Sequence, residues 1–154
     1  MNIIEPKERS DISEDVKLNR IYAQFQKLIK VLKERELPDK IIETVNKEIE
    51  DINTTSLIGK ELRKLTWQKQ TKILGLLEKE LKIVPKNHYR SIWTALGMSV
   101  FGLPIGIIIG TIIGNMGMLA TGVGLGMCIG LFLGAGMDKK ALKEGRQLDF
   151  EINN

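Results

Sequence analysis

The sequence holds one cysteine, one histidine and four prolines in 154 residues, and only 5% of its residues are aromatic. A lone cysteine excludes an internal disulfide framework, and a lone histidine excludes a histidine-rich metal site. The most informative absence is local. From Ser91 to Met137 there is no Asp, Glu, Lys, Arg or His. Residues 1–90 hold the whole net charge of +4, and residues 138–154 are balanced. One ordinary soluble domain is therefore excluded. So is chemistry built on a recognised motif, because no phosphate-binding loop, nucleophile elbow or metal-ligand spacing occurs. The composition calls for no cofactor and no catalytic or metal-binding residue.

The uncharged segment is long enough for two bilayer-spanning helices, each needing about 20 apolar residues. The expected helices are 92–114 and 118–137, joined by a turn at Asn115–Gly117, where Asn and Gly accept helix-ending backbone angles. Lys72, Lys79, Lys82, Lys86 and Arg90 precede the pair; Lys139, Lys140, Lys143 and Arg146 follow it, and the turn has no basic residue. By the positive-inside rule both termini face the cytoplasm, with Tyr89, Arg90, Trp93, Lys139 and Lys140 at the interface. Met1–Ser10 is polar and charged, which predicts no cleavable signal peptide. Pro104 cannot donate to the Val100 carbonyl, so a kink is expected there.

Twelve of the 15 glycines lie in this segment. Gly102, Gly106, Gly110 and Gly114 run at spacing four, and Gly122, Gly126, Gly130 and Gly134 repeat the pattern. Each series leaves one helix face without side chains, so that another helix approaches closely. The series mirror about Met118, which puts Gly102 and Gly134, Gly106 and Gly130, Gly110 and Gly126, and Gly114 and Gly122 at similar depth, so that glycines face glycines or both grooves present together to a neighbouring chain. Over about residues 97–137 the pattern resembles the glycine-zipper hairpins of small bacterial membrane proteins. That resemblance implies close helix packing and leaves three uses open: closing the hairpin, self-association, or a pore. Gly122-Val-Gly-Leu-Gly126 is also similar to the ring subunits of rotary ATP synthases, but these need a carboxylate within the membrane. The nearest acid here is Asp138, at the end of the segment.

The remainder divides into a polar N-terminal tail (1–12), a helical module (13–86) and a C-terminal tail (138–154). Leu18, Tyr22, Phe25, Ile29 and Leu32 predict an amphipathic helix over 14–36, capped by Ser13. Pro38 starts a second helix reaching about Ile52, with Ile42, Val45, Ile49 and Ile52 on one face. A third spans 57–84, carrying Ile58, Leu62, Leu65, Leu74, Leu77, Leu81 and Val84; its polar middle, Thr66–Lys72, leaves open whether it is continuous, and Pro85 is its stop. Lys60, Arg63, Lys64, Lys69 and Lys72 surround Trp67; the default reading is a solvated helix face, and as a contact the cluster suits anionic lipid before nucleic acid. The tail extends the second membrane helix by about two turns to Glu144, with Gly145 as a stop; beyond it Leu148, Phe150 and Ile152 alternate with polar residues, as in a docked extended segment or a free end. His88 reads as an interfacial polar residue and Cys128 as a small packing residue.

The expected fold is an all-α membrane protein: a two-helix transmembrane hairpin with an N-terminal cytoplasmic bundle or coiled coil of about three helices. The expected function is non-enzymatic. A self-associating hairpin in the cell (inner) membrane anchors a cytoplasmic scaffold or regulatory module. The alternative is a homo-oligomeric pore. The implied partners are the lipid bilayer, further copies of the chain and a cytoplasmic protein; nucleic acid is disfavoured.

Overall fold

The computed structural model describes residues 2–9, 12 and 15–152. Among these the chain is helical, in six α-helices: α1 (Val16–Lys33), α2 (Asp39–Thr54), α3 (Gly59–Leu81), α4 (His88–Leu96), α5 (Leu103–Ile113) and α6 (Leu119–Lys143). A π-helical turn, Gly97–Gly102, joins α4 to α5, and a 3₁₀ turn, Met116–Met118, leads into α6. Two compact units result, one of residues 1–84 with 148–154 and one of residues 85–147.

In the first unit, α1, α2 and α3 share one apolar core. Leu18, Phe25, Leu28 and Leu32 of α1, Val45, Ile49 and Ile52 of α2, and Leu62 and Leu77 of α3 are completely enclosed. The apolar stripes read for α1 and α2 supply much of it; of the α3 stripe, Leu62, Leu74 and Leu77 are buried in it, while Ile58 is 66% exposed and Leu65 half-buried. Helix α1 starts later than expected. Asp15 caps it, its carboxylate accepting from the Lys17 and Leu18 amides at 2.8 and 3.1 Å. The expected cap, Ser13, lies outside the described residues. Pro38 is the cap residue of α2 and sits one position before its first turn.

Helix α3 is continuous through the polar middle, which the sequence left open. Thr66 and Gln70 continue the inward face between Leu62 and Ile73, and the Thr66 hydroxyl donates to the Leu62 carbonyl at 2.9 Å. A buried hydroxyl satisfied by its own helix costs little, so the polar middle stays helical. Pro85 does not stop α3. Lys82 takes the left-handed conformation at φ 56°, its amide and that of Ile83 bonding back to Glu78 and Leu77. This closes the helix three residues earlier.

The two chain ends belong to this unit. Residues 2–9 are not a loose tail but an extended strap along α2. The Asn46 side chain accepts from the Ile4 amide (2.9 Å) and donates to the Asn2 carbonyl (3.0 Å). Asn53 repeats the pattern on Lys7 (2.8 Å) and Glu5 (3.1 Å). Three extended residues advance roughly 10 Å, and seven helical residues roughly 10.5 Å, so the two amides meet equivalent peptide groups. Ile3 and Ile12 are buried, and Arg9 donates to the Thr55 and Leu57 carbonyls beyond the end of α2. At the other terminus Leu148 and Phe150 are buried, while Ile152 is 43% exposed. The Leu148 amide donates to Val84 at 2.9 Å. The tail docks through two of its three alternating apolar residues.

In the second unit, α4, the π-turn and α5 form one continuous 26-residue run, His88–Ile113, packed antiparallel to α6. Both this run and the 28-residue Met116–Lys143 are long and apolar enough to cross a membrane. The first run begins at His88 rather than 92, whereas α6 continues past 137 to Lys143 with Gly145 left-handed after it, as the extension into the C-terminal tail expects.

Candidate functional site: the glycine-lined hairpin

Where the ladder glycines of α6 face the first run, the contact is backbone on backbone. An ideal Cβ on Gly122 would lie 2.2 Å from Gly106 Cα; one on Gly126, 2.5 Å from Gly102 Cα and 2.3 Å from the Gly97 carbonyl oxygen. On Gly130 it would lie 2.0 Å from the Trp93 carbonyl oxygen, and on Gly134, 2.5 Å from Arg90 Cα. Real Cβ atoms do not come so close to backbone, so only glycine permits this separation.

The register differs from the mirrored pairing about Met118. Gly106 meets Gly122 rather than Gly130, and Gly102 meets Gly122 and Gly126 rather than Gly134. Gly134 and Gly130 face Arg90 and Trp93 instead. The hairpin folds about Gly114, four residues before the expected centre. Gly114 ends α5 in the left-handed conformation (φ 70°), and the Asn115 carboxamide accepts from the Gly117 amide at 2.9 Å to start the next turn. Gly114 therefore has a turn role, with nothing within 4 Å of its would-be Cβ, and Gly110 packs on Asn115 and Met116 of the turn.

Gly97 is the packing residue that four-step reading missed. It lies five positions before Gly102, off a ladder of fours. The π-helical turn Gly97–Gly102 takes up the extra residue, and both glycines are buried. Its would-be Cβ lies 2.3 Å from the Gly126 carbonyl oxygen. The irregularity expected near Pro104 is thus a π-turn just before the proline. The five-residue glycine spacing was its visible sign.

One end of the hairpin is closed by an acid. Asp138, 8% exposed on α6, accepts from the Tyr89 and Arg90 amides at 3.1 and 2.9 Å. These belong to the first turn of α4, whose amides lack partners within the helix. The carboxylate also suits the positive end of the helix dipole. Tyr89 and Arg90 are thereby fixed beside Gly134 and Asp138; Trp93 is half-buried one turn on, and Lys139 and Lys140 are exposed.

The outward faces are apolar. Ile107 is 52% exposed, Ile112 80% and Phe132 83%, whereas Gly106, Gly122 and Gly126 are buried. Cys128 points outward and does not pack between the helices. The Thr94, Ser99 and Thr111 hydroxyls donate to carbonyls of their own run at 2.6, 3.0 and 2.7 Å.

In the first unit, Glu48 on α2 is buried and ion-paired with Lys69 (2.8 Å) and Lys72 (2.6 Å) of α3, and Lys69 also pairs with Asp51. Burial opposes the charge on Glu48, but the hydrogen bonds from Lys69 and Lys72 outweigh it and hold the carboxyl below its ordinary range. Lys69 and Lys72 therefore bridge α3 to α2, although the sequence grouped them with Trp67. Comparison with family models, with curated proteins and with solved structures finds no match for this chain.

Proposed function

We propose that the chain is a non-enzymatic integral membrane protein whose glycine-packed hairpin anchors a cytoplasmic helical interaction module. The observation that carries this reading is the inverted hairpin: glycines within, isoleucines and phenylalanine without. Each large apolar side chain left in water forgoes roughly 1.5–3 kcal/mol of burial. That arrangement suits a hydrocarbon solvent and opposes an aqueous one. Only 22% and 17% of the most apolar windows of the two helices are buried, unlike the core helices of a soluble protein.

Basic residues at one end and an uncharged turn at the other favour both termini in the cytoplasm of a cell (inner) membrane protein. Asp138 supports the same boundary, since it serves as a cap where the helix end meets polar surroundings. The partners on this reading are the bilayer, further copies of the chain and a cytoplasmic protein. The eight ladder glycines serve the hairpin, so a second copy packs on the outward face of α6. There Ala120, Gly124 and Cys128 recur at spacing four ahead of the exposed Phe132, and nothing lies within 4 Å of a Cβ added at Gly124. The hydroxyls bonded to their own helices argue for a closed scaffold over a pore.

The test is alkaline extraction of membranes followed by native mass spectrometry in detergent. The protein is expected to stay with the membrane and to run as an oligomer that Gly124→Leu reduces to monomer. Recovery in the aqueous supernatant overturns the membrane reading. A monomeric parent, or an oligomer indifferent to Gly124→Leu, overturns this mode of self-association.

A further inference from the structure

The first unit carries a groove of about 360 Å³ between α1 and α3. Lys17, Arg20, Ile21 and Gln24 line it from α1, Arg63, Trp67 and Gln70 from α3, and Ile152 from the tail. Three of these eight side chains are cations and none is a carboxylate. Trp67, 51% exposed, supplies an aromatic wall. We infer that this groove docks an extended acidic peptide with apolar anchors, belonging to a partner protein. The inference rests on reading the first unit as an interaction module and names the chemistry of its partner.

The structure sorts the basic cluster around Trp67. Lys69 and Lys72 turn to Glu48 and Asp51 on α2, while Arg63 joins Lys17 and Arg20 on the other side. The outcome is a cationic patch across two helices, with an apolar wall between the charges. Charges so placed favour an anion that also carries apolar groups. Trp and Arg are also the residue types that most often dominate peptide and protein interfaces.

The chain itself shows how such a segment lies on this unit. Leu148-Asp-Phe-Glu-Ile152 docks in extended form, with Leu148 and Phe150 buried and Asp149 and Glu151 exposed. Its last apolar residue, Ile152, forms part of the groove wall. A peptide with the same alternation therefore continues an interface already formed. Gln24 and Gln70 add amides to the lining that suit a peptide backbone. A concave site of this kind fits inserted side chains better than it fits the flat face of a bilayer.

The test uses the full chain in neutral-lipid nanodiscs with Trp93→Phe, which leaves Trp67 as the sole tryptophan. The probe is a peptide of two tandem copies of Leu-Asp-Phe-Glu-Ile, and its control has lysine in place of each acid. The acidic peptide is expected to shift Trp67 emission saturably, and the lysine peptide is not. Arg63→Glu and Lys17→Glu, each with the parent's circular dichroism and melting temperature, are expected to weaken binding by about tenfold. Lys139→Glu is expected to leave it unchanged. No saturable response, an equal response to the lysine peptide, or binding indifferent to both charge reversals overturns the inference. So does tighter binding of phosphatidylserine vesicles or of single-stranded RNA. Co-elution with the nanodisc is scored on the same sample, so a failure of membrane insertion is seen apart from a failure of the groove.

Discussion

At the scale of single residues, glycines of one type have three different jobs. Gly122, Gly126 and Gly130 occupy points where backbones touch; Gly114 bends the chain; Gly124 and Gly136 face outward. A methyl group separates these roles. Gly130→Ala places its Cβ 2.0 Å from the Trp93 carbonyl oxygen, so the helices must part. Overpacking of this kind costs typically 1–3 kcal/mol. A fall in the detergent melting temperature is expected for Gly130→Ala and for Gly97→Ala, larger than for Gly124→Ala or Gly136→Ala, whose added methyl meets nothing within its own chain. Equal behaviour of the four variants contradicts the assigned packing. Spacing alone revealed the eight ladder glycines, each in a contact or the turn, but not Gly97, because a ladder of fours takes a regular α-helix for granted. The sequence likewise marks Asp138 only as the first charge after the apolar run. Its capping of α4 depends on where another helix begins, 48 residues away.

At the scale of elements, the apolar stripes of α1 and α2 were plain in the sequence because helical period and burial coincide there. Helix α3 was harder. Its inward face passes through Thr66 and Gln70, which an apolar-periodicity reading scores as a gap. The strap was hidden for another reason: Asn46 and Asn53 read as ordinary exposed polar residues until an extended chain lies beside them. The α2–α3 contact carries a pH signature. Burial counts against charge on both Glu48 and Lys69, yet hydrogen bonds prevail: those from Lys69 and Lys72 lower the Glu48 pKa, and those to Asp51 and Glu48 raise that of Lys69. The Lys69 ammonium also lowers the pKa of Asp51 by hydrogen bonding. A depressed carboxyl stabilises above its unfolded pKa, about 4.3 for Glu and 3.9 for Asp. That stability is lost as pH falls through the lower folded value. Melting of the first unit is therefore expected to hold level near neutrality and decline below about pH 4. Glu48→Gln should remove part of the acid dependence while lowering the neutral melting temperature, because it leaves Lys69 without its buried partner. An acid limb identical in the variant contradicts this role.

At the scale of the whole molecule, the division into a charged helical unit and an uncharged hairpin follows from composition alone, since 47 consecutive residues carry no charge. What composition did not supply is the registration of the hairpin, set by a left-handed glycine and a π-turn, and the return of residues 148–152 to the first unit. Two chain crossings, at 84–85 and 147–148, connect the units, and the Leu148 amide bonded to Val84 fixes the two chain segments side by side within the first unit. The account depends on the hairpin traversing a bilayer, so that Asn115 and Lys140 lie on opposite sides. Labelling of single-cysteine variants in intact cells with a membrane-impermeant maleimide tests this most directly. In a Cys128→Ser background, Asn115→Cys is predicted to react from outside before lysis, and Lys140→Cys only after it. Reaction of both positions only after lysis, or release of the protein into the aqueous fraction, contradicts it.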